Sequence, residues 1–412
     1  MKQYIFLFLY AIINLKMVTS HKILAIYPYN HYNGFYKFHN IILTMVSDNN
    51  IITLLNPYEE GIRNNISYIK TNTIYEPKFF NKTLKDVEYK NLFEETEKTL
   101  ENVYRDEKIN FYLENIKNYD ILLTEKTKLY HYIFTPYAEK NKIPILYTRH
   151  FYDVTLFPFN IVKNVIDNLN KKFNREKLNN LSSYDDKRLI LINTDKTIYT
   201  ENKSPYHIEI GGINCVHNDS LINKYKYLEN EKIILVNLVS INREEEQSDF
   251  TKILFNVLNK YFNQYKIIVS VSKNKNIVYV SKNIEFINDL NVNELLSLNN
   301  TLLYISNSDI FSIYESIVYK VPLLVFPISG HNYKNANIVV NKNLGLKMDT
   351  FNISNNELVE NINILLNMNL YTKTITKISE EFKNSKQNNY KNIITFWIDY
   401  IIKYNPSSWL LN

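Results

Sequence analysis

The chain has 412 residues, enough for two domains, and its 45% hydrophobic and 22% charged residues are a balance typical of globular proteins. The net charge is +6, but acidic residues lie between the basic ones, which argues against a nucleic-acid-binding or membrane-binding surface. Cys215 is the only cysteine, so an internal disulfide is excluded. Only 6 residues are Gly while 34 are Tyr, a bias that indicates an AT-rich genome such as those of some viruses and parasites.

Residues 1–20 have the pattern of a secretory signal peptide. Lys2 precedes an apolar run over residues 4–15, and the small residue Ser20 ends the segment. We therefore expect entry into the secretory pathway and a secreted product that begins near His21. The alternative is an N-terminal membrane anchor, although this run is short for a bilayer span and no other stretch reaches 18 uncharged apolar residues.

The pattern after residue 20 predicts a βαβ start. Residues 22–27 (KILAIY) read as a buried strand, residues 38–45 as a helix and residues 51–55 as a second strand. Further strands are predicted over residues 118–124 and 143–147, with a helix over residues 129–139 between them.

A pair of glycines, Gly211 and Gly212, marks the next boundary. Glycine permits backbone angles that other residues avoid, so the pair predicts a turn in a linker. The apolar run over residues 232–239 then predicts the first strand of a second domain.

The most informative stretch is residues 293–335. A strand pattern over residues 301–306 ends at the polar turn Asn307-Ser308-Asp309. A helix pattern follows and stops before Pro322, where a second strand begins. In a parallel βαβ unit the helix starts at the carboxyl end of the first strand, where α/β folds bind anionic ligands. We therefore expect a binding site at residues 307–309.

This stretch resembles the donor-binding signature of the UDP-glycosyltransferases, glycosyltransferase family 1. The residues that match its pattern without gaps are Asn293-Glu294-Leu295-Leu296, Ser306, Tyr314-Glu315-Ser316, Val321-Pro322, Pro327, Gly330, Tyr333 and Asn335-Ala336. The opening residues 22–28, the Gly pair and the run Phe396-Trp397-Ile398-Asp399-Tyr400 also resemble family segments.

The resemblance implies an α/β fold with two Rossmann-like domains facing across a cleft, the GT-B type. Residues 21–205 would be the N-terminal acceptor-binding domain, 206–230 the linker, and 231–385 the nucleotide-sugar-binding domain. Residues 386–412 would form a C-terminal helix that packs back on the N-terminal domain.

The resemblance also implies roles for particular residues, although several active-site positions are substituted. Glu315 would bind the ribose, Asn307, Ser308 and Ser240 would donate hydrogen bonds to the diphosphate, and Asn332 would hold a sugar hydroxyl. The alternative for Glu315 is an exposed acid that pairs with Lys320 or another neighbour.

The acceptor side departs further from the family. Gly34 stands where the family has its catalytic histidine, so His31 is the candidate base, and Glu125 stands where an aspartate orients that histidine. The alternatives are a plain loop histidine and a solvated loop acid. Asp309 replaces a family glycine, and as a helix N-cap it would compete with phosphate for the helix N–H groups.

The function implied is transfer of a hexose from a UDP-sugar to a hydroxyl group of a small lipophilic acceptor. Among family members the chain resembles the secreted insect-virus ecdysteroid glucosyltransferases, which suggests a steroid acceptor. The aromatic residues of 60–115 and 150–185 suit such an acceptor and equally suit an ordinary core. No metal or further cofactor is implied beyond the UDP-sugar co-substrate. The alternative is a catalytically inactive binding protein that keeps the fold and a ligand pocket.

Overall fold

The structure is a computed structural model with two parallel β-sheets, each covered by helices. It describes residues 20–27, 33–58, 60–71, 97–98, 100–126, 131–149, 159–173, 188–199, 205–215, 225–238, 249–271, 281–288, 290–328, 330–349, 353–385 and 389–404. Residues 1–19 of the predicted signal peptide and the predicted base His31 lie outside these residues, as does Ser240.

The first domain is built on an eight-stranded sheet with the order β3-β4-β2-β1-β5-β6-β7-β8. Its strands are β1 (Lys22–Ile26), β2 (Ile51–Asn56), β3 (Gly61–Arg63), β4 (Ile66–Lys70), β5 (Ile121–Glu125), β6 (Ile145–Arg149), β7 (Ile190–Ile192) and β8 (His207–Glu209). Its helices are α1 (Asn33–Val46), α2 (Glu107–Glu114), α3 (His131–Lys140) and α4 (Phe159–Lys172). All neighbouring strands pair in parallel except β3 and β4, which form a hairpin.

The second domain is built on a six-stranded, wholly parallel sheet with the order β11-β10-β9-β12-β13-β14. Its strands are β9 (Ile233–Asn237), β10 (Lys266–Val271), β11 (Ile284–Asn288), β12 (Thr301–Ser306), β13 (Leu323–Val325) and β14 (Gly345–Lys347). Its helices are α5 (Asp249–Tyr261), α6 (Val292–Leu296), α7 (Ile310–Tyr319), α8 (Gly330–Asn341), α9 (Asn355–Asn367) and α10 (Asn369–Ser385).

Both sheets are apolar on both faces, which explains why their strands read as continuous hydrophobic runs. In β1, Ile23 packs into the core on one face and Leu24 into the core on the other. In β9, Ile233 and Ile234 divide in the same way. This alternation follows from the two-residue period of a strand.

The last helix, α11 (Tyr390–Tyr404), packs on the first domain. Ile394, Ile398 and Ile401 are buried in the same core as Ile23. The Nε2 atom of His21 and the Oδ1 atom of Asp399 lie within hydrogen-bond distance, 2.8 Å, at the beginning of β1. This helix therefore packs against the domain that contains the first strand. The exact domain boundaries stay predictions.

The Gly pair forms the predicted turn between the two sheets. A Cβ atom on Gly211 would clash with the Tyr314 hydroxyl group and with the backbone of Thr194. Gly212 has a φ of 80°, in the left-handed region that favours glycine. The linker therefore lies close against α7, which carries Glu315. Among the described residues, no helix is long and apolar enough to cross a membrane.

Candidate functional site

The candidate site lies at the carboxyl end of β12, where the chain turns into α7. Ser308 has a φ of 58°, in the left-handed region that favours glycine. Asp309 is extended, with φ −67° and ψ 157°, and it is the N-cap of α7. The turn predicted at residues 307–309 is therefore present.

Asp309 occupies the N–H groups at the beginning of α7. Its Oδ1 atom accepts hydrogen bonds from the backbone N–H of Phe311 at 2.9 Å and of Ser312 at 3.2 Å. Although Asp309 keeps some accessible surface, the surrounding protein raises the pKa of its carboxyl group by removing it from water, and the hydrogen bonds offset this only in part. The expected anion position is thus filled by a carboxylate of the chain itself.

The other predicted phosphate contacts are engaged with the backbone. Asn307 donates from its side-chain amide to the carbonyl oxygen of Phe326 at 2.9 Å. The Ser308 hydroxyl donates to the carbonyl oxygen of Asn332 at 2.8 Å. Asn307, Ser308 and Asn332 are all buried. Because Ser308 follows Asn307 and contacts Asn332, the three predicted residues lie together near the beginning of α7.

Glu315 lies two turns further along α7 and is also buried. Its Oε1 atom accepts from the side-chain amide of Asn214 at 2.9 Å, and its Oε2 atom accepts from the Tyr304 hydroxyl at 3.1 Å. Burial raises the pKa of its carboxyl group. The alternative of an exposed acid paired with Lys320 is therefore wrong.

Asn214 is a site residue that the sequence reasoning missed. It follows the Gly pair, and its backbone carbonyl accepts from the side-chain amide of Asn293 at 2.7 Å. The Oδ1 atom of Asn214 is buried, and no described residue supplies it with a hydrogen-bond donor. Asn293 belongs to the Asn-Glu-Leu-Leu motif that matches the family pattern. Its hydrogen bond to Asn214 shows that the motif supports the linker. No local pattern marks Asn214, because its contact with Glu315 spans 101 residues.

Lys37 brings a positive charge from the first domain to this site. It is exposed on α1, and its Nζ atom lies 5.4 Å from the ring centroid of Phe311, on α7. Its charge lowers the pKa of the carboxyl groups of Asp309 and Glu315, against the larger effect of burial. The sequence reasoning missed Lys37 too.

The predicted acceptor side lies at the carboxyl ends of β1, β5 and β6. Glu125 is the last residue of β5 and is buried, so the alternative of a solvated loop acid is wrong. Next to it, the Tyr27 hydroxyl lies 3.2 Å from the Thr148 Oγ1 atom. The Tyr27 ring stacks on His39 at 3.8 Å. Burial raises the pKa of Tyr27, and the charge of Glu125 raises it further.

Comparison with known proteins places this arrangement in a family. A sequence model of the UDP-glucoronosyl and UDP-glucosyl transferases matches residues 150–410, more than half of the chain. The chain belongs to this family. The match covers the whole second domain and the candidate donor site within it.

Characterised relatives are distant and longer. A human 2-hydroxyacylsphingosine 1-beta-galactosyltransferase is 29% identical over 31% of this chain and 23% of its own length. A mouse UDP-glucuronosyltransferase 1A9 is 23% identical over 48% of this chain and 38% of its own length. The chain thus matches less than two fifths of the length of these relatives.

Solved structures share the fold along nearly the whole chain. The glycotransferase of kitacinnamycin covers 93% of this chain and 99% of its own, with a TM-score of 0.69 and 12% identity. The spinosyn rhamnosyltransferase SpnG covers 92% and 100%, with a TM-score of 0.64 and 12% identity. At such identities the likeness shows the GT-B fold alone, and the predicted fold class is confirmed.

Proposed function

We propose that the protein transfers a hexose, glucose in the first instance, from a UDP-sugar to a hydroxyl group of a small lipophilic acceptor such as an ecdysteroid. The observation that carries this proposal is Glu315. In a chain of this family, it is a buried carboxylate at the position where the family binds the ribose, on the helix that begins at the carboxyl end of the second sheet.

Glu315 has capacity for a ribose besides its two protein contacts. An ionised carboxylate offers about four lone-pair sites, and Asn214 and Tyr304 use one site each. The ribose hydroxyls would donate to the remaining sites. The Oδ1 atom of Asn214 would accept a further hydroxyl, which would satisfy a buried acceptor that has no donor among the described residues.

The leaving diphosphate would be bound by neutral groups rather than by a histidine. The candidates are the amide of Asn307 and the hydroxyls of Ser308 and Ser240, while Asn332 would hold a sugar hydroxyl. The first two now donate to backbone carbonyls, so a ligand has to exchange those hydrogen bonds for its own. We therefore expect these groups to bind the diphosphate more weakly than a histidine would.

The acceptor hydroxyl needs a base, and we assign this role to His31 with Glu125 as its carboxylate partner. Glu125 is buried at the carboxyl end of β5. A general base contributes about 10²- to 10⁴-fold to a rate. Without a base the protein would still transfer the sugar, but more slowly by that factor.

We also propose that the protein is made as a secreted product. The support is the signal-peptide pattern of residues 1–20, which ends next to the first residue of the fold. N-terminal sequencing of material exported by expressing cells should begin near His21. A chain that retains the apolar run and sediments with membranes would contradict secretion.

The test of the proposed function is turnover. The full chain is incubated with UDP-glucose, with and without ecdysone, and UDP release and glucoside formation are measured. We expect acceptor-dependent UDP release that is lost in Glu315→Ala and kept in Glu380→Ala, a matched change at an exposed acid on α10.

A second candidate function is a binding protein without turnover. Asp309 favours it, because this carboxylate already occupies the N–H groups of Phe311 and Ser312 and would repel a diphosphate. In the turnover assay this candidate predicts that UDP or the steroid binds while UDP-glucose stays intact. Sustained, acceptor-dependent UDP release would exclude it.

A further inference from the structure

Lys37 is a cation of the first domain that lies at the donor site of the second. It belongs to α1, and its Nζ atom lies 5.4 Å from the ring centroid of Phe311. Phe311 is the first residue whose backbone N–H is capped by Asp309. The ammonium group is therefore next to the turn at which a diphosphate would be expected.

The contact between Lys37 and Phe311 joins the two domains. Lys37 lies three residues after Gly34, and residues at i and i+3 share one face of a helix. Gly34, where the resemblance places the family's catalytic histidine, therefore lies one turn before Lys37 on the same face of α1. The ring of Phe311, in turn, packs into the core of the first domain rather than that of its own.

The negative charges near the beginning of α7 need a compensating positive charge if a diphosphate is to bind there. Asp309 caps α7 and Glu315 lies within it, and the charge of Asp309 adds to burial in raising the pKa of Glu315. Among the residues that the structure describes, Lys37 is the cation that acts on both. A diphosphate would add two or more negative charges to the same place, and a site without a compensating cation would reject it.

We propose that Lys37 is a donor-binding residue contributed by the first domain, whose ammonium group binds the diphosphate of the donor at the amino-terminal end of α7 and offsets Asp309. This inference rests on the proposed function. Binding of the UDP-sugar would then depend on residues of both domains, because Lys37 belongs to the first domain and α7 to the second.

The test is calorimetric titration of UDP and of uridine into the full chain and three variants. Lys37→Met removes the charge but keeps an apolar stem against Phe311, and Lys37→Arg keeps the charge. Lys260→Met is the matched control, because Lys260 is also exposed and its Nζ atom lies 5.0 Å from the ring centroid of Tyr261. Uridine carries the ribose and the base without phosphate, so it isolates the contact with the diphosphate.

We expect Lys37→Met to weaken UDP binding by at least about tenfold, the low end for a charge-assisted hydrogen bond. Uridine binding should not change, Lys37→Arg should keep most of the UDP affinity, and Lys260→Met should match the wild type.

Equal UDP affinity in the wild type and in Lys37→Met would overturn the inference while the proposed donor stands. A wild type that binds uridine but not UDP, or neither ligand, would overturn the proposed function and this inference with it. Equal loss of UDP and uridine in Lys37→Met would show that Lys37 supports the pocket in general and would also overturn the inference.

Discussion

Asp309 is the residue at which an enzyme and a binding protein would differ most. The change to test is Asp309→Gly, with Asp309→Asn beside it. Asparagine is as good an N-cap as aspartate, and a glycine N-cap costs only a few tenths of a kcal/mol, so both variants should remain folded. Asparagine removes the charge and leaves an acceptor on the N–H groups of Phe311 and Ser312, whereas glycine removes both.

The size of the effect follows from the geometry of the cap. A phosphate that reached the same N–H groups would lie about 4 Å from the carboxylate, and at an effective dielectric constant of about 20 the repulsion would be about 4 kcal/mol. Partial exposure of Asp309 and the charge of Lys37 reduce this value. We expect a net relief of about 1.4 kcal/mol, which is a tenfold gain in UDP affinity.

The assay is calorimetric titration of UDP into the wild type and both variants, with thermal unfolding of each to verify the fold. The expected order of UDP affinity is Asp309→Gly above Asp309→Asn above the wild type. If the wild type already binds UDP tightly and neither variant improves on it, Asp309 does not oppose the diphosphate and the electrostatic reasoning is refuted.

Three other predictions follow from the buried carboxylates and from the N-terminal segment. Glu315→Gln should weaken the binding of both UDP and uridine by about 10- to 100-fold through loss of charged hydrogen bonds to the ribose, and unchanged uridine binding would contradict that role. Because burial raises the pKa of Asp309 and Glu315, the folded protein binds their protons more tightly than the unfolded chain does. Their contribution to the free energy of unfolding should therefore fall as the pH rises from the ordinary carboxyl value of about 4 through the raised pKa values. Denaturant titrations over this range should show a shallower fall in Asp309→Asn and in Glu315→Gln, and an identical slope in all three proteins would refute the assignment. Mass spectrometry of the exported protein should give the mass of a chain that begins near His21. The mass of all 412 residues would contradict cleavage.

The elements of the second domain could be predicted from sequence because local pattern and punctuation agree there. The strand over residues 301–306 has the predicted bounds, and α7 ends before Pro322 with β13 beginning after it, as predicted. In the first domain, β5 begins at Ile121 rather than at residue 118, and α1 begins at Asn33 rather than at residue 38. Residues just outside a periodic run carry little signal, so element ends are the least predictable feature.

The β3-β4 hairpin and α4 are absent from the expected elements, for different reasons. The hairpin of β3 and β4 has strands of three and five residues joined by Asn64 and Asn65 at positive φ, which an Asn-rich sequence obscures. The helix α4 carries Val165, Ile166 and Leu169 on one buried face, so its helical spacing is visible in the sequence. Its four asparagines have low helix propensity, so packing rather than propensity decides its conformation.

The turn at residues 307–309 follows from the βαβ pattern, whereas Glu315 as a candidate site residue follows only from the family pattern. The structure places both on the same unit, at the beginning of α7 and within it. Their protein partners do not follow, because Asn214 and Lys37 reach α7 from distant parts of the chain and no spacing rule relates them to it. The structure also shows that Asp309 caps α7, as its residue type suggests, and this is the feature that opposes a simple transfer of the family's activity.

The central claim is that the amino-terminal end of α7 and Glu315 form a working donor site, and thermal unfolding with and without millimolar UDP tests it most directly. A ligand at 100 times its Kd adds about 2.7 kcal/mol to the free energy of unfolding, which corresponds to roughly 5 to 11 °C for domains of this size. The account predicts a rise in Tm with UDP in the wild type and a much smaller rise in Glu315→Gln, while Glu380→Gln behaves as the wild type. A Tm that does not change with UDP in the wild type would contradict the claim.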